Sequence, residues 1–368
     1  MPTSLLIDNW TLQDVESLLA GDVGDAKVGE IYLSQDRETH DFSSGLEATV
    51  RIDALLTLLT NVVCFDNLHI DNGFVNTWKR DVSQLTPLEN LGVLGLVDYS
   101  KFDRQRRELS SVMLNELCVT PSLRAAMQRI QEEWATTRES SDPHLSALVW
   151  GTAGMFARSH ITATPYFGHP LRRRLIAETR MFVPRSSAAE QFDAFVRTQR
   201  TKMFRYRAER LSGTFSHLVL PPFAVQIIEE ASCLEDLVPV ALQIRDQNLP
   251  LRHWLSDYQA AIDEEDEKRQ IKFEATLMSV ARSIEAKYGA DKSGSIGFSL
   301  STAFFKFDVP KSLVDAMRNS IGIRATLSKM VLTPRGHKAM EKLLAMLSVG
   351  GTSLGRDVST ALRARYAA

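Results

Sequence analysis

Apolar residues fall into two regimes along this chain. In the first hundred residues they come as short continuous runs, Leu5-Leu6-Ile7, Val62-Val63-Cys64-Phe65 and Val93-Leu94-Gly95-Leu96-Val97, which read as strands. Between them, Ile52, Leu55, Leu56 and Leu59 recur at helical spacing and predict a helix opening near Ser44. Thr11 with Asp14 predicts a shorter helix to about Ala20, followed by a Gly- and Asp-rich loop from Gly21 to Gly29.

After residue 100 the helical signals dominate. Thr120-Pro121, Asp142-Pro143 and His169-Pro170 each place a capping residue before a proline at the first helical position. The helices they open are expected to reach about Thr137, His160 and Phe182. Ser187 with Glu190 opens another to about Leu211, and Ser232 to Glu235 reads as a capping box for a helix ending near Gln247. Pro239 falls within that helix and is expected to tighten or kink it.

From Leu251 to Tyr288 there is neither glycine nor proline, and two apolar stripes flank the polar segment Asp263 to Gln270. This predicts one helix of about 38 residues, roughly 57 Å long. Gly289 to Gly297 breaks the pattern and marks a boundary. A short hairpin near 296–308 and further helices at 311–319, 323–332 and 336–348 complete the reading. The expected fold is mainly α, a multi-helix assembly with a small α/β portion at the N-terminus. Its expected domains are 1–99, a helical domain 100–288 and a C-terminal helical subdomain 289–368.

Composition narrows this only a little. Hydrophobic residues at 44% and charged residues at 24% are ordinary for a globular chain. The three cysteines Cys64, Cys118 and Cys233 are scattered and suit a reducing compartment. The N-terminus lacks a basic region before its apolar run, which argues against a signal peptide, and no apolar run is long enough to span a membrane. A cytoplasmic, soluble protein is expected.

Charge changes the picture more. The chain nets only −2, yet residues 172–210 carry eleven basic residues against four acidic ones. Residues 229–267 carry eleven acids against Arg245 and Arg252. Wound as a helix, 187–211 places Arg197, Arg200, Phe204 and Arg207 on one face beside its apolar face. Guanidinium groups around an aromatic ring suit a nucleic-acid backbone and a stacked base. Arg172, Arg173 and Arg174 sit in the first turn of their helix, where the dipole is already positive, so this placement calls for a compensating anion. The anion is either internal, with the 229–267 block as its expected source, or an external partner.

The remaining candidates are catalytic. Asp8, Asp66 and Asp98 each follow a strand-like run, with Asp71 and Asp103 five residues beyond the latter two. Acids at the carboxyl ends of adjacent parallel strands converge on one sheet edge and could hold Mg²⁺ for phosphodiester cleavage. This layout loosely resembles that of PIN-type nucleases, whose first aspartate also ends the first strand. Arg138-x5-His144 and Arg210-x6-His217 match the R-x4–6-H spacing of HEPN-type ribonucleases, at a frequency that chance explains. Gly351-Thr-Ser353-Leu-Gly355 matches G-x-S-x-G, but a helix precedes it and no histidine follows. His160 and His169 flank a turn yet lack a third metal ligand. The expectation is a helical binding or scaffold protein without a cofactor, contacting nucleic acid or an acidic protein surface through Arg172–Arg174 and the 197–207 face. Its alternative is a Mg²⁺-dependent nuclease.

Overall fold

The computed structural model describes residues 4–24, 27–33, 40–75, 84–179, 222–264, 266–273, 275, 334–347 and 358. They form a mostly helical protein with a small parallel sheet. The chain separates into two compact units. One comprises Ser4–Leu55 with Asn67–Pro184; the other comprises Met1–Thr3, Leu56–Asp66 and Arg185–Ala368. The cut expected at residue 99 falls inside the first unit.

That unit is α/β. Strand β1 (Ser4–Ile7) leads into helix α1 (Asn9–Leu19), then an antiparallel hairpin of β2 (Lys27–Leu33) and β3 (His40–Leu46), and helix α2 (Glu47–Cys64). Next come β4 (Asn67–Asp71), the short helices α3 (Asn72–Val75) and α4 (Thr86–Asn90), and β5 (Leu94–Val97). Helices α5 (Asp103–Leu117), α6 (Pro121–Thr137) and α7 (Pro143–Thr162) then return the chain to β6 (Tyr166–Phe167), and α8 (Pro170–Thr179) follows.

The four-stranded sheet has the order β5-β4-β1-β6, all parallel, in the register Ser4↔Asn67, Leu6↔Tyr166 and Leu68↔Leu94. The chain therefore steps outward twice on one side of β1 and comes back on the other. In open parallel sheets such a reversal opens a crevice at the carboxyl ends of the two strands that flank it. Here those strands are β1 and β6.

Packing follows from the sequence. Leu5, Leu6 and Ile7 are fully buried, and α7 inserts Val149, Ala153 and Phe156 into the core shared with α5 and α6. Each of the larger side chains supplies about 1.5–3 kcal/mol on burial, and Ala153 less. The caps at Thr120 and Asp142 form as the sequence predicts, with Leu123 N donating to Thr120 Oγ1 at 3.1 Å and Leu145 N to Asp142 Oδ1 at 2.9 Å. Of the run 62–65, expected as a strand, residues 62–64 end α2 and Phe65 follows it; the strand begins at Asn67.

The second unit is helical where it is described. It holds the later part of α2 (residues 56–64) and helices α9 (Pro222–Glu230), α10 (Leu237–Gln247), α11 (Leu249–Asp263) and α12 (Pro334–Met346). The expected 38-residue helix is not there. Helix α11 ends at Asp263, and a separate helical stretch begins at 267. The polar segment supplies the break: Asp266 Oδ1 accepts the Arg269 N–H at 3.1 Å as a cap, and Gln270 Nε2 donates to the Ala261 carbonyl at 2.8 Å. The boundary at 289–297, the hairpin at 296–308 and the 187–211 helix lie outside the described residues.

Candidate functional site

The chemistry concentrates where β1 and β6 end. Asp8 follows β1 with extended backbone (φ −68°, ψ 133°) and caps α1, accepting the Trp10 N–H at 3.0 Å. It is wholly buried. Its carboxylate also accepts the Tyr166 hydroxyl, the His169 N–H at 3.2 Å, and Arg172 Nη1 at 2.8 and 3.0 Å. Burial pushes the Asp8 carboxyl upward. The Arg172 charge, His169 and the two hydrogen bonds from Tyr166 and the His169 backbone outweigh it and hold the group below its ordinary value. The same burial, with Asp8 beside it, pushes the Tyr166 hydroxyl well above its ordinary value.

Arg172 is equally enclosed, at 3% exposure. Its guanidinium lies over the Trp10 ring at 4.0 Å from the centroid, a cation–π contact that adds to the ion pair. Helix α7 makes room for it with Gly151, where a β-carbon would run into the guanidinium. One turn on, a β-carbon at Gly154 would lie 3.1 Å from Arg158 Nη1, a tight contact short of a collision, and Arg158 Nε donates to Asp71 Oδ2 at 2.6 Å. Arg173 reaches Asp53 at 3.4 Å. The first turn of α8 thus meets its compensating anions at Asp8 and Asp53, in its own unit.

The two competing sets of candidate residues therefore meet each other. Asp8, from the metal-site set, is the carboxylate that Arg172, from the anion-binding set, holds. Asp66 precedes β4 instead of ending a strand, and pairs with Arg252 at 3.1 Å within the second unit. The acid at the carboxyl end of β4 is Asp71. Asp98 is exposed beyond β5 and closes a local turn by accepting the Ser100 N–H at 2.9 Å. Among the described residues, no three His, Cys, Asp or Glu side chains are grouped to hold a metal ion. Arg197, Arg200, Phe204 and Arg207 lie outside the described residues, as do His217 and the Gly351–Gly355 motif.

Beside this ion pair lies a cavity of about 230 Å³. It is lined by Trp10, Gln13 and Asp14 of α1, Val28 of β2, Glu47 and Val50 of α2, His144 and Leu148 of α7, and His169 with Leu171 at the start of α8. His169 is 2% exposed and stands edge-on to Trp10, with ring centroids 5.5 Å apart. Its Nε2 faces Asp14 Oδ2 at 2.8 Å, while Nδ1 accepts the Leu171 N–H at 3.4 Å. Glu47 is held by Arg51 at 2.8 Å. No family model, curated protein or solved structure matches this chain. The geometry alone carries the functional argument.

Trp10, Asp14 and Tyr166 are not among the sequence-derived candidates. Strand β6 has two residues, too few to show a period, so Tyr166-Phe167 reads as a turn. The arginine triplet in a helix's first turn was the usable signal: it required an anion, and the residue ending the first strand was one to test.

Proposed function

We propose that the first unit is a ligand-binding α/β module whose site is the cavity beside the β1–β6 reversal, and that it binds without covalent chemistry. The observation that carries this reading is the cavity's lining. Apolar walls from Trp10, Val28, Val50, Leu148 and Leu171 surround a few polar groups, the usual composition of a small-molecule site. The volume lies below the roughly 300–1,000 Å³ of drug-sized pockets, which points to a small metabolite. Two carboxylates and Gln13 line it together with two histidines, and among the described residues no lysine or arginine does. Hydrogen-bond donors on the ligand, hydroxyl or amine, suit that lining.

A binding role also fits His169. Its Nε2 is held by Asp14 at 2.8 Å, which fixes the imidazole as a wall of the cavity. A Mg²⁺ ion at Asp8 would have to displace Arg172, Tyr166 and two backbone N–H groups from its oxygens, which disfavours a nuclease centre there.

The test is a ligand-detected NMR screen of small hydroxylated and amine-bearing metabolites against the wild type and Gln13→Trp, which fills the cavity from a partly exposed position. Compounds that bind the wild type and lose binding in Gln13→Trp support the reading. No binder, or binders indifferent to the substitution, would overturn it.

A second reading rests on sequence spacing. With Arg172 and Arg173 holding Asp8 and Asp53, contact with an anionic partner falls to Arg197, Arg200, Phe204 and Arg207. Binding to labelled single-stranded RNA across a salt series tests it, because phosphate contacts weaken steeply as salt rises. Binding at low salt that is lost in an Arg197→Ala, Arg200→Ala, Arg207→Ala variant supports it; no binding at low salt rejects it.

A further inference from the structure

We infer that Asp8 and Arg172 are positioning residues for the cavity: a buried ion pair that a ligand never touches sets the place of two of its walls, Trp10 and His169. The inference takes its functional meaning from the cavity reading above, but its geometry stands apart from any ligand.

Neither Asp8 nor Arg172 lines the cavity, whereas Trp10 and His169 both do. Several contacts that fix those two walls from behind run through the pair, while Trp10 also packs against the hydrophobic core. Asp8 Oδ1 takes the Trp10 N–H, and Oδ2 takes the His169 N–H, so one carboxylate fixes the backbone at both walls. Arg172 chelates the same carboxylate and lays its guanidinium on the Trp10 ring. Trp10 in turn meets His169 edge-on, and Asp14 holds the far side of that imidazole. The two walls come from segments about 160 residues apart in sequence, on α1 and before α8, and the ion pair joins them. Side chains that must present a fixed surface are commonly locked from behind by such partners.

The construction also explains Gly151. It stands on α7, outside the cavity, and its missing β-carbon is the space that the Arg172 guanidinium occupies. Gly154, one turn along the same helix, serves Arg158 and Asp71 instead. The two glycines therefore separate pressure on the positioning pair from pressure on a similar pair elsewhere.

The experiment uses the full chain labelled with fluorotryptophan. The ¹⁹F resonance of Trp10 is assigned by its loss in Trp10→Phe, and spectra are then taken of Arg172→Lys, Gly151→Ala and Gly154→Ala. Arg172→Lys keeps the charge but loses the planar face that lies on the Trp10 ring. Gly151→Ala keeps both charges and pushes the guanidinium off its seat. The expected result is a displaced Trp10 resonance in Arg172→Lys and Gly151→Ala, with the resonance of Trp254, in the other unit, in place, and an unmoved Trp10 resonance in Gly154→Ala. An unmoved Trp10 resonance in folded Arg172→Lys and Gly151→Ala would overturn the inference, and so would an equal displacement in Gly154→Ala. Because no ligand enters the measurement, failure of the metabolite screen leaves this result unaffected. If Arg172→Lys does not fold, Gly151→Ala against Gly154→Ala decides alone.

Discussion

Asp8 carries more of this protein's local order than any other described carboxylate, since it caps a helix, receives a tyrosine and anchors an arginine at once. Its ionised form is the one these donors favour, which fixes the sign of its pH dependence. A carboxyl held below its ordinary value in the folded state stabilises the fold above the unfolded-state value, and that contribution is lost as pH falls through the folded-state value. Urea unfolding of the wild type and Asp8→Asn is therefore expected to show a large gap at neutral pH that narrows through the acidic range. A gap independent of pH would mean the charge plays no part. The thiols give a second expectation at this scale. Burial pushes the Cys118 thiol up to about 11, and Cys64 is buried as well, while Cys233 is exposed. Ellman's reagent on the native protein is expected to titrate one fast thiol, with the other two appearing only on unfolding; fast reaction of Cys118 would contradict its placement.

At the scale of elements, stability depends on how helix ends are satisfied. The carboxyl end of α2 is closed by a side chain from far along the chain: Arg245 Nη1 donates to the Val62 carbonyl at 2.8 Å and to that of Phe65, and Nη2 donates to Asp66 O at 2.7 Å. A cation there also meets the negative end of the helix dipole. Arg245→Met is expected to cost about 2–4 kcal/mol in urea unfolding, from lost charged hydrogen bonds; a cost near zero would show that water replaces the guanidinium. Thr120→Ala, which removes one cap, is expected to cost about 1 kcal/mol.

The same scale separates what the sequence shows from what it conceals. The caps at Thr120 and Asp142 are local, so three or four residues suffice to read them. The box before α10 is displaced by one place at both ends: Cys233, not Ser232, is the cap, and Asp236, not Glu235, is the acid that accepts the Cys233 N–H at 3.3 Å. The end of α2 is not legible: Val62 to Phe65 is apolar on all sides, and period cannot tell a buried helix turn from a strand. The break at 264–266 escapes notice because helix-compatible side chains there also make good caps, and Asp266 takes the second role. The cavity is hidden for a different reason. Its lining comes from α1, β2, α2, α7 and the start of α8, and only the folded topology brings them together.

For the molecule as a whole, the described charges are arranged to satisfy one another. In the first unit, Asp8, Asp53 and Asp71 meet Arg172, Arg173 and Arg158; in the second, Asp66 meets Arg252. Among the described residues, no helix is long and apolar enough to cross a membrane. The first unit's sheet order places its crevice beside Asp8 and His169, and the buried pair there links the start of the chain to α8. Asp8 and Arg172 are each other's partner at the centre of that unit. A double-mutant cycle with Asp8→Asn, Arg172→Met and the two combined, read by urea unfolding at neutral pH, tests this pairing directly. Each single substitution is expected to cost about 3–5 kcal/mol by leaving a buried polar or charged group without its partner, and the combined variant to cost far less than the two together. Additive losses would contradict the pairing.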